Sequence, residues 1–115
     1  MTATAAAARV DGAWAALADP VRRRAVELLA ERPRRAGELA VLVGVSAPTM
    51  SKHLRVLRHG GLVSDTHPDF DTRVRVYALH AGAFTGLRRW LEQAEQGWSD
   101  QLDAFGTHVR RRHEP

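Results

Sequence analysis

Serine, threonine, lysine and arginine recur along one short stretch of this sequence, and proteins contact nucleic acids through such side chains. No acidic residue interrupts this stretch, which runs from Ser46 to Ser64. Hydroxyl groups and cations near the beginning of a helix can reach base edges and phosphates in the major groove of DNA, and the helix dipole adds attraction for phosphate. The alternative is a solvated basic face on an ordinary surface helix. The side chains concerned are Thr49, Ser51, Lys52, Arg55 and Arg58.

A helix that begins after Ser46 positions these side chains. The Ser46 hydroxyl can accept a hydrogen bond from an unpaired backbone N–H of the first turn, and Pro48 in that turn loses no helical hydrogen bond. Met50, Leu54 and Leu57 follow at steps of four and three, so they share one face. We expect that face to pack on a core and the other sides of the helix to carry the polar residues.

A shorter helix is predicted over residues 36–43, directly before this one. Gly44 supplies the left-handed conformation that ends it, and the turn of about three residues up to Ser46 matches the spacing of a helix-turn-helix. The helix-turn-helix unit is therefore assigned to residues 36–60. The residues expected to point inward from the shorter helix are Leu39, Leu42 and Val43.

A two-stranded hairpin is predicted over residues 62–79, after a Gly-Gly stop. Its second strand alternates strictly, which places Val74 and Val76 on one face and Arg73 and Arg75 on the other. We expect the valines to be buried. The arginines can lie along the phosphate backbone or enter the minor groove. A basic hairpin directly after such a helix is the layout of a winged DNA-binding domain.

Length and composition narrow the function further. The 115 residues suit one domain, assigned to residues 10–110, and a formal charge of +4 with a pI near 10.9 favours a polyanionic partner. No cysteine is present, which excludes disulfides, catalytic cysteine and thiolate metal sites. No apolar run is long enough to span a bilayer and no signal peptide is recognisable, so we expect a cytoplasmic protein with no membrane partner.

The two ends of the chain differ from its middle. Residues 1–9 are rich in alanine and threonine with nothing to bury, so a disordered segment is expected there. A first helix is predicted to end near Ala18, and a second to begin after Asp19 as its N-cap. A last helix is predicted over residues 84–109, followed by a basic tail over residues 111–115.

The last helix is much longer than the domain needs to close its core. Its apolar residues follow at steps of three and four, and large aromatic side chains are costly to leave in water. We predict that it packs against the same helix of a second copy, with the first helix alongside; the alternative is that it folds back on its own domain. The predicted dimer interface consists of Trp14, Leu87, Leu91, Trp98, Leu102 and Phe105.

The chain resembles the ArsR/SmtB family of bacterial winged helix-turn-helix transcription regulators. The matching segments follow the family's order: Ala16–Leu29, Gly37–Ala40, Val45–Val63 and Arg75–Leu79. The resemblance implies a mainly α fold, with about five helices and a small two-stranded β wing, that dimerises through its terminal helices. It also implies which residues contact DNA, to which we add His53 as a residue of the DNA face or a half-buried one. The predicted DNA-binding set is Ser46, Ala47, Thr49, Ser51, Lys52, His53, Arg55, Arg73 and Arg75.

The metal sites found in many members of that family are not preserved here. The family's cysteine pair would fall at Ala40 and Leu42, which cannot ligate, and the acid and histidine pattern of its terminal helix also fails. His67, Asp69 and Asp71 could hold Ni²⁺ or Zn²⁺ weakly, but a solvated polar turn explains them as well and is favoured. No metal site and no required cofactor is therefore predicted.

The sequence thus predicts a sequence-specific regulator that binds double-stranded DNA as a homodimer, with two recognition helices about one DNA turn apart on a palindromic operator. Repression is implied by the resemblance. Its effector is left open between an atypical metal site, a small ligand at the dimer interface and a separate sensor protein. The alternative function is a winged-helix protein-interaction module without specific DNA binding. Catalysis is not expected, because no Gly-rich phosphate loop, catalytic triad or HExxH motif occurs.

Overall fold

The computed structural model describes the backbone of residues 2–67 and 74–113 and the side chains of residues 7–67 and 74–110. This part of the chain folds into five helices and three short strands, so the predicted class of a mainly α winged helix-turn-helix is confirmed. The helices are α1 (Thr2–Leu17), α2 (Pro20–Glu31), α3 (Ala36–Val43), α4 (Ala47–His59) and α5 (Thr85–His113). The strands are β1 (Arg34–Arg35), β2 (Val63–Thr66) and β3 (Val76–Leu79).

The wing is part of a three-stranded antiparallel sheet in the order β1-β3-β2. The central strand is β3, in which Tyr77 lies opposite Arg34 on one side and Asp65 on the other. The third strand, β1, was not predicted, because two residues are too few to show an alternating pattern. It matters for the site because it places the two arginines between α2 and α3 beside the wing.

Local hydrogen bonds set the beginning of α2. The Asp19 carboxylate accepts the backbone N–H groups of Val21 at 2.8 Å and Arg22 at 3.2 Å, and Pro20 occupies the first helical position. Partial desolvation favours a higher pKa for the Asp19 carboxyl, but these hydrogen bonds and nearby positive charge together hold its pKa below the ordinary value. The predicted N-cap is therefore confirmed.

The turn between α3 and α4 also follows the prediction. Gly44 adopts a left-handed conformation with φ of 85°, and its N–H donates to the carbonyl of Ala40 at 2.9 Å. Ser46 then begins α4, because its hydroxyl accepts the N–H of Thr49 at 3.2 Å. Two helices are thereby joined at a fixed angle by residues that satisfy the hydrogen bonds of their ends.

The hydrophobic core lies where α1, α2, α3 and α4 meet the sheet. The apolar face predicted for α4 is confirmed, since Met50, Leu54 and Leu57 are fully buried. The prediction for α3 is wrong at Leu42, which is 50% exposed. Ala40 is buried in its place beside Leu39, because this helix of eight residues turns a narrow face toward its neighbours.

The wing strand buries a different residue from those predicted. Val74 and Val76 are only half-buried, whereas Tyr77 is 7% exposed. Tyr77 is covered because β3 is the central strand, with a neighbouring strand on each side and contacts from α2. The expectation of a buried valine face is therefore wrong, because Tyr77 is the residue of β3 that is buried where this strand contacts α2.

The helices extend further toward both ends than predicted. The expected disordered segment over residues 1–9 is wrong, because α1 begins at Thr2. Alanine has the highest intrinsic helix propensity, so this alanine-rich segment continues the helix upstream of its first buried residue. At the other end α5 runs to His113, so residues 111–113 of the predicted basic tail are helical. None of the helices in the described ranges has the length and apolar character needed to cross a membrane.

The backbone of α1 contacts the end of α4 without an intervening side chain. A Cβ atom added to Gly60 would lie 3.0 Å from the carbonyl oxygen of Gly12 and 3.2 Å from the Cβ of Ala16. Such distances are shorter than ordinary carbon contacts, so only glycine fits at position 60 without a shift of the helices. The backbones of α1 and the end of α4 are therefore in direct contact.

Candidate nucleic-acid interface

One side of α4 is polar and open to solvent because the other side is fully buried. Every predicted DNA-binding residue on this helix except His53 is exposed, so the fold brings this part of the predicted set onto one accessible surface. The helix has 13 residues, with no acidic residue in its first turn and two basic ones in its last. The exposed members of the set are Ser46, Ala47, Thr49, Ser51, Lys52 and Arg55.

Ser46 and Thr49 form a hydroxyl pair at the beginning of α4. Ser46 accepts the backbone N–H of Thr49 and donates its own proton to the Thr49 hydroxyl at 2.9 Å. Because the Ser46 proton is used within the protein, Thr49 keeps a free O–H that can donate to a base or phosphate. Ser46 therefore positions the first turn, and Thr49 presents its hydroxyl outward.

His53 is half-buried and faces α1 and α2 with one ring nitrogen. Arg22 Nη1 lies 3.3 Å from His53 Nδ1, and Arg22 Nε donates to the carbonyl of Ala16 at 2.6 Å. A guanidinium can only donate, so Nδ1 of His53 is the acceptor in this contact. This contact ties the recognition helix to the end of α1, which a sequence pattern alone could not indicate.

Asp65 of β2 joins the end of α4 to the wing. Its Oδ1 lies 3.4 Å from Nη1 of Arg58, and its Oδ2 lies 3.8 Å from Nε of Arg75. Asp65 is half-buried, whereas Arg75 is exposed. The carboxylate thus holds two cations beside the polar side of α4. Arg73, the other predicted wing residue, lies outside the described residues.

A basic cleft of about 450 Å³ opens between the beginning of α3, the middle of α4 and the wing. The predicted residues Ser51, Arg55 and Arg75 line it together with residues from elsewhere in the chain. Arg35 of β1 is one that the sequence reasoning missed, because its position depends on the pairing of β1 with β3. The four guanidinium groups of this cleft belong to Arg35, Arg55, Arg58 and Arg75.

Two neighbouring arginines are instead held by carboxylates. Arg34 is largely buried, and its guanidinium pairs with Glu38 at 2.8 Å and Glu31 at 3.4 Å. Arg32 also pairs with Glu38. Partial desolvation favours a higher pKa for Glu38, but hydrogen bonds from Arg32 and Arg34 together hold the pKa of this carboxyl below its ordinary value. Arg32 and Arg34 are thus structural, whereas their neighbour Arg35 faces the cleft.

The predicted dimer interface is mostly an exposed apolar surface. Trp98 is 61% exposed and Phe105 67%, with Leu91, Leu102 and Trp14 also open to solvent. Trp14 packs edge-on against Trp90 with ring centroids 5.8 Å apart, which joins α1 to this surface. Leu87 does not belong to it: the residue is 5% exposed and lies in the core of its own protomer, because the first turn of α5 packs on α1.

Of the three residues in the predicted weak metal site, the structure describes His67. Asp69 and Asp71 lie outside the described residues. His67 has Nδ1 at 3.1 Å from the carbonyl oxygen of Val74, so this nitrogen is engaged across the wing. In the ranges that the structure describes, no three histidine or acidic residues come together as a metal-binding group.

The sequence and fold of this chain are similar to those of known proteins. Residues 19–65 match the family model for bacterial regulatory proteins of the arsR family. The chain is 42% identical over 100 residues to the HTH-type transcriptional regulator Rv2034 of Mycobacterium tuberculosis, covering 84% of this chain and 91% of that protein.

Solved structures show the same architecture. An ArsR-like transcriptional regulator from Rhodococcus sp. RHA1 is 27% identical with a TM-score of 0.75, covering 87% of this chain and 92% of that one. The homodimeric winged helix-turn-helix domain of Mb0332 from Mycobacterium bovis is 24% identical with a TM-score of 0.62, covering 88% of each chain; this likeness is one of fold.

Proposed function

The chain belongs to the ArsR family of bacterial winged helix-turn-helix transcriptional regulators, and on this premise we propose that it binds a specific operator in double-stranded DNA as a homodimer and represses the adjacent promoter. The observation that carries the proposal is the division of α4 into a fully buried apolar face and an exposed polar face without acidic residues. A helix of this kind fits the major groove, where each base pair displays a distinct pattern of donors and acceptors.

Individual side chains have different roles in this proposal. Arg55 and Lys52 can donate to guanine or to phosphate, while the free hydroxyl groups of Thr49 and Ser51 can donate to bases or phosphates. Arg75 lies on the wing beside them and contacts the backbone or the minor groove. His53 contributes mainly through the contact that ties α4 to Arg22.

The homodimer is supported by the exposed apolar surface of α5. Two copies packed through this surface, with Trp14 and Trp90 alongside, would bury it around a two-fold axis. Recognition helices related by that axis read half-sites about 34 Å apart, which is one turn of DNA. The related fold of Mb0332 is described as homodimeric, and this supports the same assembly here.

An effector that controls operator binding is also part of the proposal. A cavity of about 720 Å³ between α1, the Gly60-Gly61 turn and the beginning of α5 favours a small ligand over the other two routes. It is lined by Val10, Trp90, His59 and His80 among others and includes the contact between α1 and the end of α4. Footprinting with added metal salts or cell extract distinguishes this route from a response to Ni²⁺ or Zn²⁺ and from a separate sensor protein.

Footprinting on the upstream regions of the protein's own gene and its neighbours tests the proposal. We expect a palindromic protected site. A change in its protection when nickel, zinc or cobalt salts are added to the purified protein reports a direct metal response. Protection that changes only when a cell extract is added points to a separate sensor or metabolite. Equal binding to promoter fragments and random duplex would contradict sequence-specific regulation.

Substitutions on α4 separate DNA binding from the alternative of a protein-interaction module. Each of Lys52→Ala and Arg55→Ala should weaken operator binding, by about 1 to 3 kcal/mol where a base contact is lost. Arg88→Ala removes the same charge from an exposed position on α5 and should leave operator binding unchanged. If Lys52→Ala and Arg55→Ala bind DNA like the wild type in a gel-shift titration, and none of these proteins prefers the operator over random duplex, the interaction module is the better account.

A further inference from the structure

Within the part of the chain that the structure describes, the lining of the basic cleft carries positive charge and no acidic residue. Arg58 and Arg75 share the carboxylate of Asp65, which lies beside the cleft. Arg35 and Arg55 make no ion pair with any residue in the described ranges. Among the described residues, four guanidinium groups of the cleft therefore share one carboxylate, that of Asp65.

Such a cluster is unfavourable unless an anion accompanies it. Arginine does not lose its proton at any physiological pH, so the mutual repulsion of these side chains cannot be relieved by titration. The same part of the chain shows how cations are paired when no ligand is needed, since Arg32 and Arg34 are held by Glu31 and Glu38. Arg35, the next residue along β1, has no such partner and points to the cleft.

The shape and surroundings of the cleft suit a phosphate group. Gly37 in the first turn of α3 lines the cleft, and its missing side chain leaves open space beside the backbone. Among the described residues no side chain caps the beginning of α3, so the N–H groups of its first turn add attraction for an anion, while the Glu38 carboxylate in that turn is paired with Arg32 and Arg34. Ser51 supplies a hydroxyl donor from α4. The planar guanidinium group binds phosphate through two parallel hydrogen bonds.

We propose that this cleft binds one phosphodiester group of the DNA backbone in each half-site, with Arg35 and Arg55 as its principal ligands. The volume of about 450 Å³ leaves room for the sugars on both sides of the phosphate. Asp65 pairs with Arg58 and Arg75 on the wing side of the cleft. The phosphate then neutralises positive charge from Arg35 and Arg55 on the other side of the cleft. This assignment rests on the proposed DNA binding and adds to it a contact from β1, outside the helix-turn-helix.

The salt dependence of DNA binding tests the role of Arg35. Loss of one phosphate contact should lower the slope of log K against log salt by about 0.9 per subunit for Arg35→Gln, equally on operator and random duplex. Arg35→Lys keeps the charge and should keep the wild-type slope. Arg24→Gln is the matched control, because it removes an exposed arginine of α2 that does not line the cleft. Thermal unfolding of all three variants shows that they are folded.

Neutral phosphates locate the contact on the DNA. Replacing each operator phosphate in turn with methylphosphonate should weaken wild-type binding at several positions, and one of them in each half-site, where affinity falls roughly 10- to 100-fold, should be the position that depends on Arg35. Arg35→Gln should lose less than the wild type at that position, because only the Arg55 contact remains there, and should respond like the wild type elsewhere.

The two experiments distinguish failure of this proposal from failure of the proposed function. An Arg35→Gln slope equal to that of the wild type, with operator preference intact, overturns the phosphate site and leaves operator recognition standing. Absence of operator preference in the wild type overturns both. A slope that falls for Arg24→Gln as much as for Arg35→Gln also overturns the site, since it indicates diffuse attraction by the whole basic surface.

Discussion

The recognition helix α4 and the terminal helix α5 are both amphipathic, but their apolar residues lie in different environments. Met50, Leu54 and Leu57 of α4 are fully buried within the protomer. Along α5 the apolar side chains after Leu87 remain open, with Trp98 61% exposed. The apolar face of α4 is thus buried by its own domain, which leaves the polar face free for a ligand. The apolar face of α5 is exposed in the described structure and needs another apolar surface to bury it.

This difference predicts two kinds of stability in one chain. The part around α4 is stabilised by contacts that form in every molecule, so its unfolding does not depend on protein concentration. In the proposed dimer, the part beyond Leu87 gains stability from association, at roughly 1.5 to 3 kcal/mol for each large side chain that becomes buried. Mass action then makes the thermal midpoint of α5 beyond Leu87 rise with protein concentration.

The largest expected effect is that of Trp98→Ala on dimerisation. Because a two-fold axis repeats the substitution, the loss is about 3 to 6 kcal/mol per dimer, which weakens association about 100-fold or more. Sedimentation equilibrium or light scattering during size-exclusion chromatography measures the change. Operator affinity should fall in parallel, since a monomer holds only one half-site.

Gln96→Ala provides the matched control for this prediction. Gln96 lies on nearly the opposite side of α5 and hydrogen bonds only to Asp100, at 3.0 Å, among the described residues. Its substitution should leave the dimer intact. A wild-type protein that sediments as a monomer at all concentrations would remove the distinction between the two helices.

The next largest effect is that of Leu54→Ala on the protomer. Removing a fully buried leucine creates a cavity, and we expect the free energy of unfolding to fall by about 2 to 5 kcal/mol. Urea denaturation at several protein concentrations measures it, and the loss should be the same at each concentration. Val56→Ala, at an exposed position of the same helix, should cost much less. A loss at Leu54 that varied with protein concentration would mean that the stability of α4, like that expected for α5, depends on association.

The smallest effect concerns acid stability and Glu38. Its pKa is lower in the folded protein than in the unfolded chain, so the unfolded chain takes up the proton first as the pH falls. The stabilising contribution is therefore complete above the unfolded pKa of about 4.3 and is lost as the pH falls through the folded pKa. Glu38→Gln should flatten the dependence of the thermal midpoint on pH between about 5 and 3. Glu92→Gln, which removes the same charge from exposed α5, should flatten it less.

Features that depend on neighbouring residues along the chain could be predicted from the sequence. The caps at Asp19 and Ser46 and the left-handed stop at Gly44 are set by hydrogen bonds and backbone angles within one turn, so residue type and spacing suffice. The buried face of α4 follows in the same way from helical periodicity. These elements contain most of the predicted DNA-binding residues.

Features that depend on contacts between distant segments could not be predicted. The pairing of Arg35 with Val76 creates β1, brings a missed arginine to the cleft and makes β3 a central strand in which Tyr77 is the buried residue. The contact of His53 with Arg22 links residues 31 positions apart and leaves no periodic signal. Leu42 was misassigned because a helix of two turns contains too few residues to define its inward face.

The contact between Gly12 and Gly60 has a mechanical consequence. Backbone meets backbone there, so no rotamer can absorb a displacement between α1 and the end of α4. A tilt of α1, whether driven by a ligand or by a change in subunit packing, is therefore transmitted directly to the orientation of α4. A methyl group at position 60 would push α1 and the end of α4 apart, and in the proposed dimer it would alter the distance between the two half-sites that the protein can span.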